Sequence, residues 1–148
     1  MNKLQISILL SAALALPAWS QVKPDVQVKQ RQAAMALQGK YFYPIRAMAQ
    51  GKTPYDPAVV SRNVTYLDSL SKMPWDGFTP ATKDLKTQAT PAVFTDTAKF
   101  KDGQDKYQAE VTRLVELTRK GDEPSIKSQI LAVDKSCGSC HDSFREKQ

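Results

Sequence analysis

Near the C-terminal end of this 148-residue chain, the run Cys137-Gly138-Ser139-Cys140-His141 gathers both cysteines and the single histidine. The cysteines are three residues apart, and the histidine is four from the first. On an α-helix all three project to one face. Around them Ile126, Ile130, Val133, Cys137, Cys140 and Phe144 step by four, three, four, three and four residues. An apolar helix face therefore runs straight through the motif. This stretch must fold as a helix that turns two thiols and an imidazole toward its neighbours.

Three further amphipathic segments precede it. The first opens at Lys23-Pro24-Asp25, runs from about Val26 to about Gln50 and ends at Gly51. Val28, Met35, Phe42, Ile45 and Ala49 mark its inner stripe, which Arg31 and Gln32 interrupt. The second starts at Asp56-Pro57, buries Val60, Val64, Leu67 and Leu70, and ends at Met73-Pro74. Trp75 to Thr95, with Pro80, Pro91 and several threonines, reads as a long crossover loop. The third begins near Asp96, carries Phe100, Tyr107, Val111, Leu114 and Leu117 inward, and stops at Lys120-Gly121. The fourth opens at Asp122-Glu123-Pro124. No segment alternates with period two over a useful length, so strands are not expected. The expected fold is all-α, an antiparallel up-down-up-down four-helix bundle with space between facing helices for a cofactor.

The N-terminus reads as a secretory signal over residues 1–20. Lys3 supplies the positive charge, Leu4 to Ala18 the apolar run, and Ala18-Trp19-Ser20 the small residues before a cleavage expected after Ser20. Residues 21–148 then form one domain. No later segment is apolar enough to cross a membrane, so an exported, periplasmic product is expected. The formal charge is +6. Basic and acidic residues are interleaved, which argues for a solvated surface rather than a nucleic-acid site. The basic C-terminal end suits an acidic redox partner.

Two thiols and one imidazole admit several chemistries. A disulfide is the default for paired cysteines in an exported protein, but a loop this short within a helix stabilises little. A thioredoxin-type pair belongs near a helix N-terminus, whereas this pair lies near a C-terminus. Zinc needs a fourth ligand, and no other Cys or His exists to supply one. Covalent haem needs two thiols a helical turn apart and an imidazole that follows, the Cys-x-x-Cys-His pattern. Haem c, one per chain, is the best reading. Its propionates require cations or donors nearby.

With these features, the chain resembles the cytochrome c′ family of class II c-type cytochromes. The resemblance covers essentially all of the mature chain. It rests on KSCGSCHDSFR at the C-terminal end, KQRQAAM on the first helix, GKTPYDPAVV before the second and LSKMPWDGF after it. It implies that Cys137 and Cys140 carry the thioethers and that His141 is the proximal iron ligand. It also implies that Arg31 and Gln32 lie in the propionate region. Gln88 is the nearest match to a haem-contacting residue of the crossover. Arg145 matches a basic position on the proximal side, although a helix C-terminus would also attract it. Trp75 and Phe78 are read as core or haem-edge packing.

With His141 as the only histidine, the other axial position falls to methionine or stays open. Met35 sits mid-helix on the inner stripe and matches the family position over the distal face. If it only packs there, the haem is five-coordinate and high-spin. If its sulfur binds iron, the protein is a low-spin electron carrier. A distal water is a third arrangement. The open site is favoured, with NO and CO as ligands and electron transfer beside gas binding. An enzyme would want a distal acid–base pair, and none is found on the first-helix stripe near Met35. The family resemblance further implies a homodimer through the first two helices, where Tyr41, Tyr43 and Tyr66 are surface candidates with a core alternative.

Overall fold

The computed structural model describes residues 22–147. The expected leader over residues 1–20 lies outside the described residues. Four long helices make up the body: α1 Pro24–Ala49, α2 Pro57–Leu70, α4 Thr97–Lys120 and α5 Glu123–Phe144. A one-turn helix, α3, spans Ala92–Thr95.

The helix ends follow local chemistry. Asp56 caps α2 by accepting from the backbone N–H groups of Ala58 and Val59 at 2.9 and 3.1 Å. Asp122 caps α5 by accepting from Ser125 N–H at 3.1 Å. Gly121 closes α4 with φ of +77°, a left-handed conformation that glycine takes without penalty.

α1 packs on α2 and α5, and α4 packs on the same two. The pairs α1/α4 and α2/α5 are therefore the diagonals of an up-down-up-down bundle. Ile45, Val60, Val64 and Leu67 from one side meet Val111, Leu114, Ile130 and Val133 from the other, all buried. Each such side chain contributes about 1.5–3 kcal/mol by leaving water. No described helix is long and apolar enough to cross a membrane.

Two expectations change. The inner face of α1 is Val28, Arg31, Ala34, Gln38, Phe42 and Ile45, while Met35 and Ala49 are half-buried. Polar residues thus belong to the stripe instead of interrupting it. Gln38 is held by two hydrogen bonds and Arg31 by two from its Nη1, which offsets the cost of their burial. The crossover, expected as a plain loop, is built from short turns. Trp75–Gly77 and Pro80–Thr82 are 3-10 turns closed by Phe78 N–H to Trp75 O at 3.1 Å and Thr82 N–H to Thr79 O at 2.8 Å. Its far end pairs with the chain after α5. Thr90 N–H donates to Phe144 O at 3.0 Å and Glu146 N–H to Gln88 O at 2.8 Å, around an antiparallel bridge between Ala89 and Arg145.

Candidate haem site

A cavity of about 770 Å³ opens between α1, α4, α5 and the crossover. That volume suits a cofactor-sized ligand. Cys137, Cys140 and His141 line it from α5, and Arg31, Gln32 and Met35 from α1. Trp75 and Gln88 line it from the crossover, and Arg145 from the residue that ends α5. All nine residues singled out from the sequence thus meet at one place.

Both cysteines are free. Burial, followed by the neighbouring Asp134 and Cys140, pushes the Cys137 thiol up to about 12, and burial also raises Cys140. Thiols held neutral in this way are poor material for a thiol–disulfide redox pair. Among the described residues no three His, Cys, Asp or Glu side chains converge as a metal ion held by protein alone would need. Partial burial and the Arg145 cation hold the His141 imidazole below its ordinary value, against an opposing effect of Asp142. Neutral imidazole is the form that ligates iron.

The walls are aromatic. Phe78 and Phe100 have ring centroids 5.0 Å apart, Phe100 and Phe144 5.1 Å, and Trp75 and Phe100 5.9 Å. The chain of rings forms a continuous apolar surface of the kind a macrocycle packs on. The Trp75 indole N–H donates to Ser71 O at 2.6 Å, which fixes the ring in this wall.

Arg31 is the buried cation of the site, only 4% exposed. Its Nη1 donates to Gly77 O at 2.6 Å and to Thr82 Oγ1 at 2.9 Å, and its guanidinium lies 4.3 Å from the centre of the Phe78 ring. The close approach depends on Gly77, where a Cβ would come within 3.0 Å of Gln27 O and of Arg31 Cβ. Arg31 Nη2 is buried without a partner, and burial lowers the guanidinium pKa. An anionic group in the cavity would complete this cation.

The donor set therefore fits haem c. Two neutral thiols, an imidazole, an aromatic wall and a buried cation short of one acceptor match thioethers, iron, macrocycle and propionate in turn. Gln32 is exposed at the rim, and Gln88 does something further. Its Oε1 accepts from Arg145 Nε at 3.1 Å, so the crossover holds the cation that stands next to His141.

Other wall residues were not singled out from the sequence as site residues. Arg46 pairs with Asp134 at 2.9 Å across α1 and α5. Gln38 and the core residue Tyr107 bond to each other on the cavity wall. The signal for Gln38 was available in its spacing, three residues after Met35 and four before Phe42, but its polarity reads as surface.

A family profile described as Cytochrome C' matches residues 26–145. The chain belongs to the cytochrome c′ family. Cytochrome c′ of Rubrivivax gelatinosus is 40% identical over 126 residues, covering 84% of this chain and 98% of that protein. Its crystal structure superposes with a TM-score of 0.80 at 39% identity, covering 84% and 98%. A nitric oxide complex of a mutant cytochrome c prime from Alcaligenes xylosoxidans gives a TM-score of 0.78 at 34% identity, covering 85% and 98%. A carbon monoxide-bound variant of the same protein gives the same four values. Cytochromes c′ carry covalently bound haem c, the cofactor expected from the motif.

Proposed function

We propose that this cytochrome c′ is exported to the periplasm, binds NO and CO at an open distal position and passes single electrons. The carrying observation is the content of the cavity: two free thiols and the only imidazole on α5, facing an aromatic wall with Met35 on α1. Haem c supplies a one-electron iron couple and a site for neutral diatomic ligands. Cys137 and Cys140 would tether it, His141 would ligate its iron, and Arg31 would receive a propionate. Gln32 lies at the rim beside it, Trp75 packs along the edge, and Arg145 stands on the proximal side, held by Gln88.

Met35 lines the cavity from α1 and has no hydrogen-bond donor to offer a ligand there. An apolar space of this kind admits neutral NO and CO with little desolvation and disfavours anions. The solved NO and CO complexes of variants of the Alcaligenes relative support the same reading. Asp134 is the carboxylate on the cavity wall, and Arg46 already holds it. An ion-paired carboxylate is a poor proton donor or acceptor for peroxide chemistry.

Because Met35 lines the same cavity as His141, a low-spin His141/Met35 carrier is the second reading. Titrating the reduced holoprotein with CO separates the two. The open-site reading expects saturable spectral changes that are nearly unaltered in Met35→Leu. No change with CO in the natural protein, appearing only in Met35→Leu, contradicts it and establishes Met35 as a ligand.

A further inference from the structure

The cavity wall holds a hydroxyl that the gas-binding reading leaves unused. Tyr107 of α4 is buried and lines the cavity beside Trp75, with ring centroids 6.3 Å apart. Its O–H donates to Gln38 Oε1 of α1 at 2.7 Å. Gln38 Nε2 in turn donates to Leu70 O, the last residue of α2, at 3.1 Å. The Gln38–Tyr107 bond crosses the α1/α4 diagonal of the bundle. Gln38 itself is buried, lines the same cavity and follows Met35 by three residues, so the two lie on neighbouring parts of one helix face.

A glutamine here is an expensive way to fill space. Its neighbours along the wall include Phe42 and Leu67, and an apolar side chain would continue the stripe with no polar group to satisfy. What glutamine adds is an acceptor for a buried phenol proton. That proton has chemical consequences beside a diatomic ligand. A donor stabilises a ligand that takes on negative charge, O₂ most of all and CO weakly, and donors in a distal pocket decide which ligand is favoured.

We propose that Gln38 is a specificity-determining residue that acts by positioning: it engages the Tyr107 hydroxyl and so keeps that hydroxyl from donating to a ligand in the cavity. Discrimination against O₂ then depends on a polar pair within the wall as well as on its apolar surface. This inference rests on the open-site reading above.

The test is the infrared stretching band of CO on the reduced holoprotein, compared among the natural protein, Gln38→Met, Tyr107→Phe and the double variant. A donor near bound CO lowers its stretching frequency. Gln38→Met is expected to move the band to lower frequency and to raise the O₂-to-CO affinity ratio about tenfold, the scale of one hydrogen bond. Tyr107→Phe leaves the band in place, and the double variant returns it to the natural position. In urea unfolding the two single substitutions are non-additive, as bonded partners should be. Gln38→Leu repeats the test should the methionine fail to fold. A band unmoved in the folded Gln38 variants, or moved by Tyr107→Phe alone, overturns the role of Gln38. Absence of CO uptake by the natural protein overturns this role together with the open site, whereas uptake with an unmoved band overturns the role of Gln38 alone.

Discussion

Arg31 shows how one residue serves both fold and site. Its guanidinium holds Gly77 O and Thr82 Oγ1, and so fastens the crossover onto α1, while a further nitrogen remains buried and free for an anion. Replacing it with leucine removes two hydrogen bonds from a charged donor and leaves their acceptors short of partners. Arg31→Leu is expected to lower unfolding stability by about 1.5–3 kcal/mol, measured by urea denaturation of the holoprotein, and to weaken haem retention after the thioethers are cleaved. Unchanged stability would mean that the crossover is held by its aromatic packing alone. From the sequence, Arg31 was legible as a site residue only through the family resemblance. Its second role was not, because a bond to Gly77 some forty-six residues away has no local signal.

At the scale of elements, the caps carry a testable electrostatic signature. Hydrogen bonds from the Ser125 side chain and backbone hold the Asp122 carboxyl below its ordinary value. A group whose folded pKa is depressed stabilises the fold above its unfolded pKa and loses that contribution as pH falls through the folded value. Stability should therefore decline as pH drops below the ordinary carboxylate range. Asp122→Asn should flatten that part of the profile, measured by thermal melting across acidic pH. The same caps explain why helix boundaries were readable: Asp56-Pro57, Asp122-Glu123-Pro124 and Lys120-Gly121 each state a start or a stop in adjacent residues. The crossover was not readable in the same way. Its 3-10 turns, and the pairing of Gln88–Thr90 with Phe144–Glu146, depend on what lies opposite in the folded chain. The inner face of α1 was half readable, since its spacing is regular but Gln38 looks like a surface residue until Tyr107 is placed across from it.

For the whole molecule, the α1/α2 side presents a partly exposed aromatic pair. Tyr66 is 45% exposed and its ring lies 4.7 Å from that of Tyr41, whereas Tyr43, although 65% exposed, borders the haem cavity and does not belong to this face. We read this face as the contact between two copies of the chain, in keeping with aromatic enrichment at interfaces. Tyr66→Glu should shift sedimentation from dimer to monomer with the haem spectrum unaltered, and a natural protein that already sediments as a monomer would remove this reading. The central claim concerns what the bundle encloses: one haem, tethered by Cys137 and Cys140, ligated by His141 and open opposite it. Its most direct test is the absorption spectrum of the reduced holoprotein without added ligand. The account predicts the broad bands of a high-spin, five-coordinate haem; sharp, split α and β bands would show a low-spin iron with its sixth position already filled, and would contradict it.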